Sequence, residues 1–197
     1  MSMENPVATP DTVTNAPVPA ARYSFAARAL HWLVAAFVIC QIPLGLYMVA
    51  RGAATDFDAL TGKLYDLHKL AGFTVLWLIV LRIHIRFRRG ALPPLATLTP
   101  FERIASGAVH RLLYALLLIV PLLGWAGISA YPALNIFGLF NLPGILPANE
   151  PLANKILGLH GLLAQLLGIL VLIHIAAALR HRFIKRDGLL RRMWPIN

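Results

Sequence analysis

Four long runs of apolar residues, separated by short polar or basic segments, make up most of the chain. A helix needs about 20 apolar residues to cross the hydrocarbon core of a bilayer. In lipid, a single apolar run satisfies its backbone hydrogen bonds as a helix. The pattern predicts an all-α membrane protein, an antiparallel four-helix transmembrane bundle. The predicted spans are Ala29–Ala50, Leu67–Phe87, Ala105–Ala130 and Ile156–Leu179.

The composition agrees with a membrane protein and argues against two soluble classes. Hydrophobic residues make up 58% of the chain and charged residues 13%, whereas a soluble domain carries about 25% charged residues. The net charge of +10 is compatible with nucleic acid, but the basic residues cluster beside the apolar runs. We therefore expect a lipid bilayer as partner and no nucleic acid. A single cysteine, Cys40, excludes a disulfide framework and covalent haem attachment through CxxCH.

The distribution of Lys and Arg predicts the orientation of the bundle. One end, called the basic end, carries most of these residues, and the opposite, outer end carries only Arg51, Lys63, Lys69 and Lys155. The positive-inside rule makes the basic end cytoplasmic, with both termini on that side. The residues of the basic end are Arg22, Arg28, Arg82, Arg86, Arg88, Arg89, Arg103, Arg111, Arg180, Arg182, Lys185, Arg186, Arg191 and Arg192.

Two segments outside the spans have compositions of their own. Residues 1–22 are rich in Pro, Thr and Ala and lack a basic n-region, which predicts a disordered cytoplasmic tail before a transmembrane domain of residues 23–197. The outer connection Tyr131–Pro147 is apolar and aromatic. We expect it to lie at the membrane interface over the outer end of the bundle.

Histidines within the apolar runs are the candidate functional residues, because ionisable side chains are costly in hydrocarbon. His160 and His174 are fourteen residues apart, which is a rise of about 21 Å and a change of phase of about 40° on one helix. They therefore share a face at two depths. By position in the spans, His68 matches the depth of His160, and His31 matches that of His174.

Two pairs of imidazoles at two depths suit two haem groups with histidine on both sides of each iron. Small residues near the candidates leave room for a flat ring; they are Gly45, Gly72, Gly124, Gly158, Gly161 and Gly168. Packing histidines are one alternative reading. A zinc site is another, but it needs its ligands at one depth, and the spans lack carboxylates.

Three more histidines have less certain roles. His84 points away from His68 on its helix, which favours an interfacial residue. His110 suits either contact with a haem propionate or quinone, or an interfacial polar position. His181 continues the stripe of His174 about 10 Å closer to the cytoplasm, a suitable place for a quinone or a proton-exchanging group.

At this point the residues resemble the bacterial cytochrome b561 family, including its superoxide-oxidising members. The resemblance covers nearly all of the chain after residue 22. The motifs are YSFAARALHWLVA (23–35), LHKLAG (67–72), HRLLYALLLIVPLLGW (110–125), LHGLLAQLLG (159–168) and HIAAALRHRFIKRDGLLRRMWP (174–195).

The resemblance implies a bacterial inner-membrane protein with two haem b groups. His31 and His174 would ligate the inner haem iron, and His68 and His160 the outer one. It also implies ubiquinone as electron acceptor near the cytoplasmic side, at His181. The outer loops, which would meet the electron donor, diverge from the family pattern, so the donor stays open between superoxide and another periplasmic molecule.

The expected activity is that of an oxidoreductase, a superoxide:ubiquinone oxidoreductase. Among the outer cations Lys69 is best placed to attract superoxide, since it adjoins His68, although nearby acidic residues weaken this attraction. One alternative keeps the haems in an electron-transfer anchor for a partner dehydrogenase or soluble cytochrome. Another is a haem-free bundle that conducts protons or ions through histidine.

Overall fold

The computed structural model describes residues 21–194, and four long helices make up most of them. All four are long and apolar enough to cross a membrane, so the predicted fold class is confirmed. Each predicted span lies inside one helix. The predicted tail falls outside the described residues except for its last two positions. The helices are α1 (Phe25–Ala54), α2 (Ala59–Arg89), α3 (Pro100–Ala130) and α4 (Glu150–Arg180).

The helices are longer than the predicted spans because polar caps extend them beyond the apolar runs. Ser24, Asp58 and Asn149 each accept a hydrogen bond from a backbone N–H of the first turn of the following helix. Thr99 and Glu102 form a reciprocal capping box at the start of α3. Hydropathy therefore located the helices, and the caps set their ends.

The packing of the helices leaves one side of the bundle less closely joined. α1 packs against α2, α2 against α3, and α3 most extensively against α4, whereas α1 and α4 make few contacts. At the α3–α4 contact a Cβ on Gly127 would lie 2.5 Å from Leu157 Cδ2, so a larger residue there would require the Leu157 side chain to move. α4 is therefore held mainly by α3, and its contact with α1 is slight.

The outer connection forms a small hairpin, called here the outer hairpin. Its strands are β1 (Asn135–Ile136) and β2 (Phe140–Asn141), paired antiparallel. β1 packs on α2, and Asp66 of α2 accepts a hydrogen bond from the backbone N–H of Phe137 at 2.9 Å. The connection thus covers the outer end of the bundle, as its apolar composition predicts.

The chain after α4 folds back over the basic end. A π-helical turn (His181–Lys185) and a 3₁₀ turn (Leu189–Arg192) follow α4. Tyr23 N–H donates to Arg192 O at 3.2 Å, and Trp32 Nε1 donates to Met193 O at 2.6 Å. The two ends of the bundle domain therefore meet on the same side of the molecule.

Candidate functional site

The outer pair of histidines comes together across the bundle. His68 of α2 and His160 of α4 have ring centroids 6.1 Å apart, with the two rings nearly perpendicular. α2 and α4 are not packed neighbours, because α2 lies against α1 and α3. The two imidazoles therefore bridge the interior of the bundle.

Local hydrogen bonds orient the outer pair. A carbonyl can only accept, so the 2.9 Å contact between His160 Nδ1 and Val120 O places the imidazole proton on Nδ1. Nε2 of His160 is left as the basic nitrogen, the usual arrangement for a metal-bound histidine. His68 Nδ1 is buried without a hydrogen-bond partner among residues 21–194. Gln41 Nε2 donates to the backbone oxygen of His68 at 2.9 Å, which fixes that turn of α2.

Two glycines lie directly against the outer imidazoles. A Cβ on Gly45 would lie 3.1 Å from His68 Cε1, and a Cβ on Gly124 would lie 3.1 Å from His160 Cε1. Both separations are tight for carbon contacts, so each glycine makes space for one imidazole. Gly158 and Gly161 have nothing within 4 Å of such a Cβ, and their role is not tied to these rings.

The inner pair has nearly the same geometry at the other depth. His31 of α1 and His174 of α4 have ring centroids 6.2 Å apart at an interplanar angle of 84°. His110 of α3 approaches His174 more closely, with centroids 5.2 Å apart, and its Nδ1 contacts Ser106 O at 2.7 Å. Three histidines from three helices therefore meet at this depth.

Both pairs fit a bis-histidine haem iron. Two imidazoles whose nitrogens would each lie about 2 Å from one first-row metal, with roughly 1 Å more to each ring centre, would have centres about 6 Å apart. His31–His174 and His68–His160 have this separation. The His110 and His174 ring centres are 5.2 Å apart, closer than this separation, so His110 is a neighbour of the inner pair. The two histidine pairs therefore fit haem.

A compact metal site is not formed by the described residues. Within residues 21–194 no three His, Cys, Asp or Glu side chains converge in a way that could hold a metal ion. Imidazoles in separated pairs, with no carboxylate beside them, are the donor set of haem rather than of zinc. His84 is exposed on α2, and within residues 21–194 it makes no ring contact with the other histidines.

His181 has a partner that the sequence reading missed. His181 Nδ1 lies 2.6 Å from Asp187 Oδ2, and the side chains of the two residues are only 7% and 4% exposed. Arg186 and Gly188, on either side of Asp187, have positive φ values of 52° and 78°. This tight turn brings Asp187 back to His181, and glycine adopts such a φ without strain. The nearest signal in the sequence was an acidic residue followed by glycine, six positions after the histidine.

Burial and hydrogen bonding act in opposite directions on the Asp187 carboxyl. Burial alone raises the pKa of Asp187, but the hydrogen bonds from His181 and from the Leu189 N–H outweigh it and hold that pKa below the ordinary value. Asp187 is therefore an ionised acceptor. It keeps a proton on His181 Nδ1 and leaves Nε2 without a hydrogen-bond partner in residues 21–194.

Lys69 is held in place by the outer hairpin. Its Nζ lies 2.7 Å from Asp66 Oδ1 and donates to the backbone oxygens of Ala133 and Asn135 at 3.1 and 2.6 Å. The Lys69 side chain is 12% exposed. The ammonium predicted to attract superoxide thus also fastens the hairpin to α2 beside His68, with its charge largely balanced by Asp66.

The similarity to known proteins agrees with this site. A family model described as prokaryotic cytochrome b561 matches residues 22–195. Cytochrome b561 homolog 2 of Escherichia coli is 33% identical over 173 residues, which are 87% of this chain and 90% of that protein. Cytochrome b562 of Cereibacter sphaeroides is 32% identical over 168 residues, 83% and 89% of the two chains.

A third relative is named for an activity. The probable superoxide oxidase CybB of Yersinia pestis is 29% identical over 175 residues, which are 88% of this chain and 96% of that protein. The family model spans nearly the whole described bundle. This chain therefore belongs to the prokaryotic cytochrome b561 family of membrane electron-transfer cytochromes, which carry b-type haem.

Proposed function

We propose that this protein is a di-haem superoxide:ubiquinone oxidoreductase of the bacterial inner membrane, with both termini in the cytoplasm. It takes electrons from a periplasmic donor, foremost superoxide, and delivers them to ubiquinone near the basic end. Two superoxide anions each lose one electron and leave as dioxygen. The two electrons, with two protons from the cytoplasm, convert ubiquinone to ubiquinol.

The observation that carries this proposal is the presence of two similar histidine pairs at two depths. Their centroid separations of 6.1 and 6.2 Å differ by only 0.1 Å, and His160 and His174 stand on one face of one helix. Bound haem b would supply one-electron chemistry at each depth. The chain's own contribution is to fix the imidazoles and exclude water around them.

At the basic end, His181 and Asp187 would handle the protons of quinone reduction. A carboxylate that keeps the proton on Nδ1 leaves Nε2 to face the acceptor, and a buried pair of this kind exchanges protons in a defined direction. The relationship of these two residues supports a quinone position beside the π-helical turn. The role of His181 itself comes from the family resemblance.

At the outer end, Lys69 would act beside the outer pair. Its position next to His68 suits the attraction of a small anion, and Arg51, Lys63 and Lys155 add positive charge at the same end. Asp58 accepts from Arg51 at 2.6 Å, and Asp66 accepts from Lys69. Steering by these cations is therefore modest, and Lys69 contributes chiefly by holding the hairpin close to the outer pair.

Two measurements on the purified protein test the proposal. The visible spectrum with a haem-to-protein ratio should give b-type bands and a ratio near two. The protein alone should then reduce ubiquinone when superoxide is generated, with superoxide dismutase abolishing the reaction. Full haem loading without superoxide-driven ubiquinol formation would reject superoxide as donor, and a spectrum without b-type bands would reject the whole proposal.

A second candidate function is electron transfer with a protein partner at the outer end. It is favoured by the engagement of Lys69 and by three exposed apolar side chains at the tip of the outer hairpin, Phe137, Leu139 and Phe140. A partner dehydrogenase or soluble cytochrome would then replace superoxide. Haem reduction by a purified redox partner, with no response to superoxide, would support this candidate.

A further inference from the structure

A cavity at the basic end is lined by arginine, and no acidic residue among residues 21–194 lines it. It has a volume of about 430 Å³ and lies between the start of α1, the end of α2 and the returning C-terminal segment. Its polar lining comes mainly from guanidinium and phenol groups. The lining residues that matter here are Arg22, Tyr23, Arg82, Arg86, Arg89 and Tyr114.

The carboxylates of the basic end are already engaged elsewhere. Within residues 21–194 only Glu102 and Asp187 are acidic at this end. Glu102 accepts from Arg180 and Lys185 at 2.8 and 2.7 Å, and Asp187 accepts from His181. In this part of the chain no salt bridge neutralises Arg82, Arg86 or Arg89, so the cavity keeps a net positive charge.

The tyrosines hold two of the guanidinium groups at the cavity. Arg86 Nη1 donates to Tyr23 Oη at 3.1 Å, and its Cζ lies 5.9 Å from the centre of the Tyr23 ring. Arg82 Cζ lies 5.7 Å from the centre of the Tyr114 ring, and Arg82 Nη1 donates to Ala27 O at 2.8 Å. Each guanidinium has five donors, so several N–H groups of each stay available to a ligand.

The arginine cluster is more than a topology signal at one end of a span. An arginine that acts only as a topology signal needs to lie near the membrane surface but does not need to line a cavity. Arg88, in the same turn of α2, is placed in this way and does not line the cavity. Arg86 and Arg89 lie on the same side of this last turn, together with Arg82 one turn earlier. Because several guanidinium groups line one cavity, this cavity favours the binding of an anion.

We propose that this cavity binds the phosphate of an anionic phospholipid headgroup. It lies at the end of three membrane helices, at the level of headgroups rather than of free solution. Exposed Phe25 and Phe87, which are 73% and 84% exposed, flank this end of α1 and α2 and provide apolar surface for acyl chains. Basic pockets between transmembrane helices on the cytoplasmic side bind such headgroups, and arginine suits phosphate through its paired donors.

Native mass spectrometry of the purified, haem-loaded protein tests this site. The protein is titrated with phosphatidylglycerol and, separately, with phosphatidylcholine of identical acyl chains. We expect phosphatidylglycerol to be retained preferentially. Its affinity should fall about fivefold for each arginine removed in R86Q/R89Q, from the contribution of one basic residue near an anionic surface. The control R88Q removes one charge from the same turn, is matched to the single variant R89Q, and should bind like the wild type.

Arg82 stays intact in these variants, because its contact at Ala27 lies one turn from His31. If the double variant does not fold, R89Q alone serves, because the Arg89 side chain makes no hydrogen bond or ion pair within residues 21–194. Equal binding of the two lipids, or equal loss in R88Q, would overturn the proposal. Displacement of phosphatidylglycerol by an equal concentration of inorganic phosphate would also overturn it, as would loss of haem without a change in lipid binding.

Discussion

Asp187 and His181 form a buried hydrogen-bonded pair, with 2.6 Å between Oδ2 and Nδ1, just after the helix that carries His160 and His174. The pair joins the last turn of α4 to the segment that returns across the basic end. α4 and the π-helical turn that follows it therefore carry three imidazoles in order from the outer end to the basic end. Among residues 21–194, only the last of these imidazoles contacts a carboxylate.

Asp187→Asn removes the charge of this pair while preserving its shape. We expect the haem content to stay unchanged and the rate of ubiquinol formation to fall about tenfold or more, the scale seen when a carboxylate behind a functional histidine is lost. D187E should restore part of the rate. A rate equal to the wild type across the pH range would show that Asp187 has no part in proton handling.

Acid should weaken the same contact in the wild type. Because the folded pKa of Asp187 lies below its ordinary value of 3.8, the ionised carboxylate stabilises the folded state above that value. This stabilisation is lost as pH falls through the lowered folded pKa. Thermal unfolding from about pH 5 to about pH 3 should therefore show a steeper loss of Tm in the wild type than in D187N. Parallel curves would contradict this.

Replacing one histidine of a pair should empty one haem site and spare the other. We expect His160→Ala to lose the outer haem and His31→Ala to lose the inner haem, so the haem-to-protein ratio falls from near two to near one in each. The haem left in each variant should have a reduction potential different from that of the haem left in the other. The matched control is His84→Ala, on the exposed face of α2, which should keep both haems. Loss of both haems from either single variant would leave the pairing unsupported, and retention of both would refute it.

The two glycines against the outer imidazoles give a finer test of the same site. In Gly124→Ala the new Cβ would lie 3.1 Å from His160 Cε1, so the ring must shift by a few tenths of an ångström. We expect an altered outer-haem potential and weaker haem retention, with the inner haem unchanged. Gly158→Ala meets nothing within 4 Å and should be neutral or stabilise the helix by about 0.5–1 kcal/mol. Potentiometric titration of both variants checks this, and identical potentials in the two would contradict it.

Hydropathy, spacing and charge predicted the four helices and indicated which histidines would meet. Fourteen residues between His160 and His174 correspond to nearly whole turns, and this local rule holds on any regular helix. The pairing of His31 with His174, and of His68 with His160, followed from the depth of each residue in an antiparallel bundle. These are properties of the chain pattern and need no knowledge of side-chain packing.

The remaining contacts depend on backbone turns that local pattern does not specify. Asp187 reaches His181 only because Arg186 and Gly188 adopt positive φ. Lys69 reaches Ala133 and Asn135, more than 60 residues along the chain, only because the outer hairpin folds onto α2. His110 lies by His174 through packing between α3 and α4. Such long-range placements are set by tertiary structure rather than by periodicity.

Lys69→Met separates the two roles of this lysine, because it removes the charge and the hydrogen bonds while keeping much of the apolar stem. We expect faster hydrogen exchange across residues 133–141, since the outer hairpin loses its contacts at Ala133 and Asn135. Superoxide-driven haem reduction should slow and should depend less on ionic strength than in the wild type. Lys63→Met, which removes a charge from the same end without a contact to the hairpin, is the matched control. A slower reaction with unchanged hydrogen exchange would assign Lys69 to attraction alone, whereas faster exchange with an unchanged reaction would assign it to the hairpin alone.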